Sequence, residues 1–360
     1  MNNNLKLHVF LIALLLPCVL VPSIFSVVDN EYYGYLSEIP NKAILFIGDG
    51  MGENHIEVAK QKLGHDLFFT NFEKEGYVKT NSLTLNAPTD SAAAGTALAT
   101  GQKVFNRQVA YYNGEKILSI TEKLKQKGYG VGIITTDYLS GATPSAFSSH
   151  AKDRDNETEI IENQIVNNID LLFGRKSDAY DDYIDDIEKQ GYKFIDMVDE
   201  LTPHNGKLFG GFDKINNYTP EDDRPTLPML MDYAIDFFET NYPNGYFIMC
   251  EQAYIDKRSH DNNISSMIRY LDEFDNTIEL THNKLEKENP FLLVTADHET
   301  GDLRLPNEGE EITNDLYNSK NHTSQNVKYF ISHKSETINK IADVIDNTHI
   351  FRIYDAIYRQ

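Results

Sequence analysis

The sequence predicts an α/β fold: a three-layer α/β/α sandwich around a central, mostly parallel β-sheet. Apolar runs recur at Lys42–Ile47, Val131–Thr136, Tyr246–Cys250 and Phe291–Ala296. They are nearly continuous in apolar or β-branched residues, as strands covered on both faces are. Helix-periodic stretches accompany them at Ile117–Lys127, Glu157–Leu172, Met229–Glu239 and Ile264–Glu288, and strands alternating with helices imply parallel pairing. The polar residues just past the strands, Asp49, Thr143, Glu251, Asp297 and His298, fall where such sheets collect ligands, beyond the strands' carboxyl ends.

In chain order, Lys6 precedes a run from Leu7 to Val28 that holds no Asp, Glu, Lys or Arg. A cation followed by an apolar stretch is the layout of a secretory signal, and a run of this length, uncut, also suffices to span a bilayer. Residues 1–26 are therefore expected to be a signal peptide or an N-terminal membrane anchor, residues 27–40 an arm, and residues 41–360 a single catalytic domain. The location that follows is secreted, periplasmic or cell-surface, with membrane attachment if the segment stays uncut. Of the two cysteines, Cys18 and Cys250, only Cys250 survives cleavage, so stability must come from the core and from metals. The stretch from about 156 to 240 reads as less regular, with an acidic surface segment at Asp178–Asp186. No repeat or linker divides the chain. Its 360 residues, 41% hydrophobic, are enough for one large core. The formal charge of −22 repels polyanions, so nucleic acid is not an expected partner, and an anionic substrate needs attraction generated within the site.

In Pro88–Ala97 a serine, Ser91, precedes small helix-compatible residues. A serine there sits at a helix N-terminus, which favours a bound anion but also suits a plain N-cap. The four-residue spacing of Asp256 and His260 puts both on one helix face, and Asp297–His298 follows a strand end. Such pairs occur as surface ion pairs or caps; together they offer the mixed nitrogen and oxygen ligands that Zn²⁺ takes, whereas oxygen-only sets suit Mg²⁺.

Six blocks then resemble the alkaline phosphatase family in the family's order: IGDGMG at 47–52, TDSAAAGTALATG at 89–101, ATP at 142–144 with HAKDR at 150–154, EQAYIDKRSH at 251–260, TADHETG at 295–301 and HTSQNV at 322–327. The similarity spans about residues 41–330. It implies one zinc held by Asp256, His260 and His322, a second held by Asp49, Asp297 and His298 beside Ser91, and a magnesium held by Asp49, Thr143 and Glu251. Ser91 would be the nucleophile that forms a phosphoseryl intermediate, Arg154 would clamp the phosphate, and Asp90 and Lys257 would help bind it. Lys257 reads equally well as a solvated helix lysine. The implied activity is hydrolysis of small phosphate monoesters, with a phosphodiesterase or related metal-dependent hydrolase as the alternative. Two Zn²⁺ and one Mg²⁺ would outweigh the carboxylates of Asp49, Glu251, Asp256 and Asp297, leaving a locally positive site in a negative molecule.

Two features depart from the pattern. Gly141 stands where many relatives carry Asp or His, which weakens the expectation of magnesium. Only 23 residues separate His298 from His322, too few for the crown subdomain of many relatives, so a compact form is implied and a homodimer is left open. His55 and His150 read as hydrogen-bonded structural residues, and Tyr111 and Tyr112 as packing.

Overall fold

The computed structural model describes residues 33–39, 41–215 and 224–359. The expected signal or anchor at 1–26 lies outside the described residues, as do residues 27–32 and 40 of the arm. The rest of the arm packs on the domain. Tyr33, Leu36 and Ile39 are buried, and the Tyr33 hydroxyl meets His349 Nδ1 at 3.0 Å, at the start of the C-terminal helix Thr348–Ile357. Among the described residues no helix is long and apolar enough to cross a membrane.

The strands are β1 (Lys42–Gly48), β2 (Lys74–Lys79), β3 (Tyr111–Tyr112), β4 (Glu115–Lys116), β5 (Gly130–Tyr138), β6 (Leu171–Arg175), β7 (Tyr192–Ile195), β8 (Lys207–Phe212), β9 (Tyr246–Gln252), β10 (Phe291–Thr295), β11 (Glu299–Thr300), β12 (His322–Thr323), β13 (Val327–Ser332) and β14 (Val344–Asp346). Ten of them form one sheet in the order β14-β2-β13-β10-β1-β9-β5-β6-β8-β7. Only β13 breaks the parallel run, pairing antiparallel with β10 and β2. The four strands visible in the sequence, β10, β1, β9 and β5, are neighbours at the centre. They are readable because helices cover both of their faces, which makes apolar residues obligatory at nearly every position.

One face is covered by Leu227–Asn241 and Ile264–Leu285, the other by Ser91–Thr100, Ala142–Ser148 and Thr348–Ile357. In Ile264–Leu285 the buried Met267, Leu271, Phe274 and Ile278 recur at helical spacing, and Phe274 meets Phe46 of β1 edge-on at 6.1 Å. Truncating such a buried ring costs about 3–5 kcal/mol. On the opposite face Tyr354 packs on Phe247 at 5.0 Å and donates its hydroxyl to Ile44 O at 2.9 Å.

The structure revises two expectations. The helix expected over Glu157–Leu172 spans Glu157–Val166; Asn168 then turns left-handed at φ 59, and Leu171 and Leu172 belong to β6. The region expected to be irregular contains three further parallel strands, β6, β8 and β7, and the segment around Asp178–Asp186 forms short helical turns that bury Tyr180.

Candidate active site

The sheet gathers acidic residues along one edge. Asp297, Asp49, Glu251 and Asp137 stand at or just beyond the carboxyl ends of β10, β1, β9 and β5, four strands that lie side by side in that order. Register keeps them together: Ile47 faces Thr295 on one side and Glu251 on the other, and Glu251 faces Thr135. Gly50 makes the turn after Asp49 at φ +71, where a Cβ would fall 2.8 Å from Asp256 Cα. The glycine thus allows both the left-handed turn and the close approach of Asp256.

Burial and mutual repulsion act on this row. Burial, then the charges of Asp297, Asp256 and Glu251, push Asp49 well above the usual carboxylate range. Burial raises Asp297, while burial and then Asp137 push Glu251 up to about 8. Asp49 Oδ1, Asp297 Oδ2 and Thr143 Oγ1 are buried with no hydrogen-bond partner among the described residues. Unsatisfied buried oxygens of this kind are costly.

The histidines carry the same signal in their tautomers. His260 Nδ1 lies 2.5 Å from Lys320 O and His322 Nδ1 lies 2.9 Å from Thr89 O. Carbonyls only accept, so in both rings Nδ1 bears a proton, and the neutral form of each ring keeps its lone pair on Nε2. Those lone pairs face each other at 3.1 Å, and Asp256 Oδ1 stands 3.3 Å from one and 3.6 Å from the other. The Thr300 hydroxyl donates to Asp256 Oδ1 at 2.5 Å and so accepts from His298 Nδ1 at 3.2 Å. His298 Nε2 is therefore a lone pair too, 3.2 Å from Asp297 Oδ2 and 3.6 Å from Asp49 Oδ1. Burial, then neighbouring His322, holds His298 well below the usual imidazole range, which keeps it neutral.

Acceptors facing acceptors repel, and a metal cation between them would relieve that repulsion. Ligand atoms about 2.0 Å from one tetrahedral ion lie roughly 3.3 Å apart, the spacing found here. Among the described residues two groups can hold a metal, Asp49–Asp297–His298 and Asp256–His298–His322, and His260 Nε2 adjoins the second. These residues fit zinc, and the oxygen donors Asp49, Thr143 and Glu251 fit magnesium.

Ser91 opens the helix Ser91–Thr100, every residue of which is buried. Its small side chains allow that, and the Asp90 side chain caps the helix, accepting from Ala93 N at 3.0 Å, an interaction worth about 1 kcal/mol. The Ser91 hydroxyl reaches the His298 Nε2 lone pair at 3.2 Å. The other Asp90 oxygen accepts from Arg107 N at 3.0 Å and from Arg154 Nη1 at 3.3 Å, so one carboxylate joins the serine turn to the Arg154 loop. Lys257, expected near the phosphate, has its ammonium on Asp137 Oδ1.

Asp137 and Arg107 are not among the residues the sequence singles out. Asp137 had a usable signal, since it directly follows the run Val131–Thr136. His55, buried and lowered to about 3 by burial, bonds Ser259 Oγ at 3.0 Å. His150 ties Ala110 O to Glu122, each at 2.9 Å. Tyr112 stacks on Phe105.

The family model for alkaline phosphatase matches residues 41–174 and 163–350. The chain belongs to the alkaline phosphatase family. Alkaline phosphatase 4 of Bacillus subtilis is 28% identical over 299 residues, covering 76% of this chain, and alkaline phosphatase 3 of the same organism is 29% identical over 301 residues, covering 77%. This alkaline phosphatase homologue spans 64% of the length of each. The alkaline phosphatase of the Antarctic bacterium TAB5 shares the fold at a TM-score of 0.76 and 23% identity, covering 89% of this chain and 98% of its own. A histidine-to-glutamate variant of that enzyme, solved with Mg bound in its M3 site, aligns at 0.75 and 24% identity over the same shares.

Proposed function

We propose that this member of the alkaline phosphatase family hydrolyses small phosphate monoesters through a phosphoseryl intermediate on Ser91. One zinc would be held by Asp256, His260 and His322, a second by Asp49, Asp297 and His298, and a magnesium by Asp49, Thr143 and Glu251. The observation that carries the reading is the convergence of three imidazoles and buried carboxylates in one cluster, of which His298 Nε2 meets the Ser91 hydroxyl at 3.2 Å. When bound, the cations favour the serine alkoxide and a hydroxide at neutral pH and neutralise charge on the leaving oxygen.

The chain's own groups do the rest. Arg154 presents a planar fork to two non-bridging phosphate oxygens, and Asp90 steadies it. Ser91 Oγ forms a bond to phosphorus as the bond to the leaving oxygen breaks; the serine proton passes to solvent and the leaving oxygen takes one up. Water then attacks phosphorus from the vacated side, the Oγ–phosphorus bond breaks, and Ser91 regains its proton. The helix that begins at Ser91 turns its positive end toward the anion throughout. Arg154 favours a monoester over a diester, whose second substituent would occupy an oxygen the fork needs. We place the enzyme outside the cytoplasm on the apolar run Leu7–Val28, with no nucleic-acid partner.

Turnover of an aryl phosphate monoester, the matching diester and the sulfate by the Zn²⁺- and Mg²⁺-loaded protein tests the proposal. Monoester turnover should dominate, and Ser91→Ala should remove it by about 10³-fold or more. Faster diester turnover, or an undiminished Ser91→Ala rate, would overturn the reading.

A further inference from the structure

The side chain absent at Gly141 is replaced in space by one from elsewhere in the chain. Gly141 sits at φ −57 and ψ 156, a conformation open to any residue, so the backbone does not call for glycine. What calls for it is room: a Cβ there would lie 2.7 Å from Asp137 Oδ2 and 2.8 Å from Tyr138 O. The Asp137 carboxylate fills the position that a side chain at 141 would take.

Its setting is held from two directions. The Asp137 N–H donates to Thr135 Oγ1 at 2.9 Å, and that hydroxyl donates to Glu251 Oε2, so one threonine links Asp137 to the end of β9. Lys257 engages Oδ1, while Oδ2 stays on the Gly141 side. The charge of Asp137 bears on both Glu251 and Asp49. One buried atom points to a ligand independently, since Thr143 Oγ1, two residues past Gly141, has no partner among the described residues. Oxygen donors in this number suit a hard divalent cation that keeps part of its water shell.

We propose that Asp137, rather than residue 141, supplies the third carboxylate of the oxygen-donor cation site formed with Asp49, Thr143 and Glu251, and that Lys257 positions it. The proposal rests on the three-cation reading above. It makes Gly141 a compensated change: the acidic group has moved four residues toward the N-terminus, onto the end of β5, and glycine makes way for it.

The test is an Mg²⁺ titration of the full-length, zinc-loaded protein, read by calorimetry and by melting temperature, with zinc content measured in each variant. Asp137→Asn should weaken Mg²⁺ binding roughly 10- to 100-fold, the scale for losing a supporting group of a metal site, with zinc content unchanged. Gly141→Ala, whose methyl group collides with the carboxylate, should weaken Mg²⁺ in the same direction without touching an acid. The double variant Asp137→Gly, Gly141→Asp should recover binding to within a few-fold. Wild-type Mg²⁺ affinity in both Asp137→Asn and Gly141→Ala would overturn the assignment of Asp137 and leave the three-cation reading intact. Absence of Mg²⁺ uptake by the wild type would overturn both.

Discussion

The two ends of the central sheet treat buried charge in opposite ways. At the amino end, Asp170 is buried, yet it accepts from Lys125 Nζ at 2.6 Å, Val131 N at 2.8 Å and the Tyr242 hydroxyl at 2.5 Å. Lys42, opening β1, likewise bridges Glu239 at 2.8 Å and Glu288 at 2.9 Å. At the carboxyl end, Asp49 and Asp297 each keep a buried oxygen without a partner among the described residues, and the nearby imidazoles turn lone pairs toward them. The same residue types are satisfied at one edge and left short of donors at the other: at the amino edge ammonium groups and N–H donors meet the acids, whereas at the carboxyl edge Lys257 engages Asp137 and backbone N–H groups reach one Asp297 oxygen, leaving Asp49 Oδ1 and Asp297 Oδ2 without a donor among the described residues.

The largest test of this contrast lies at the carboxyl end. Asp297→Ala should lower monoester turnover by about 10³-fold, the scale for losing one group of a preorganised electrostatic site. It should also raise the melting temperature of the metal-free protein, because one of several clustered charges is gone. A metal-free variant less stable than wild type would break the contrast.

At the amino end, Lys125→Met strands Asp170 and should cost about 3–5 kcal/mol in denaturant unfolding, with zinc content and turnover per folded molecule unchanged. Loss of zinc in that variant would mean the two ends are not independent.

A smaller effect separates them by pH. Glu251 titrates at about 8 in the fold against a usual 4.5. Its raised value stabilises the metal-free protein fully below about 4.5, and that contribution is lost as pH rises through about 8. Chelated protein should therefore melt at a lower temperature at pH 8 than at pH 6, with a shallower slope in Glu251→Gln. Added Zn²⁺ and Mg²⁺ should reverse the sign, since binding strengthens as the ligands lose protons.

The smallest effect belongs to the exposed ion pairs of Arg107 with Asp153 and Asp155 at 2.7 and 2.5 Å. Arg107→Ala should cost under about 1 kcal/mol, because the link to Asp90 is made by its backbone N–H.

The central strands were legible because burial on both faces leaves a continuous apolar run, and the site residues because they lie in short contiguous blocks. The outer wing was not. β6 follows a helix whose apolar spacing runs on past Val166, and only the pair Asn167–Asn168, with Asn168 left-handed, marks the stop. β8 carries Gly210 and Gly211, which dilute its pattern; a Cβ on Gly210 would strike the Phe173 ring at 2.6 Å, so packing of the neighbouring strand demands the glycine that hides β8 from the reader. Antiparallel β13 leaves no sequence mark of its direction.

From the sequence alone came the central parallel strands, the serine at a helix start, and the identities of the carboxylates and imidazoles expected to hold metal. The tertiary structure decided which way those groups point. Thr89 O and Lys320 O set the tautomers of His322 and His260, Thr300 orients His298, and the order β10-β1-β9-β5 sets four acids in a row. It also paired Lys257 with Asp137 and put that carboxylate in the space left by Gly141. Such contacts join residues up to 233 positions apart, and only the closing of the sheet and its helices brings those partners within hydrogen-bond range.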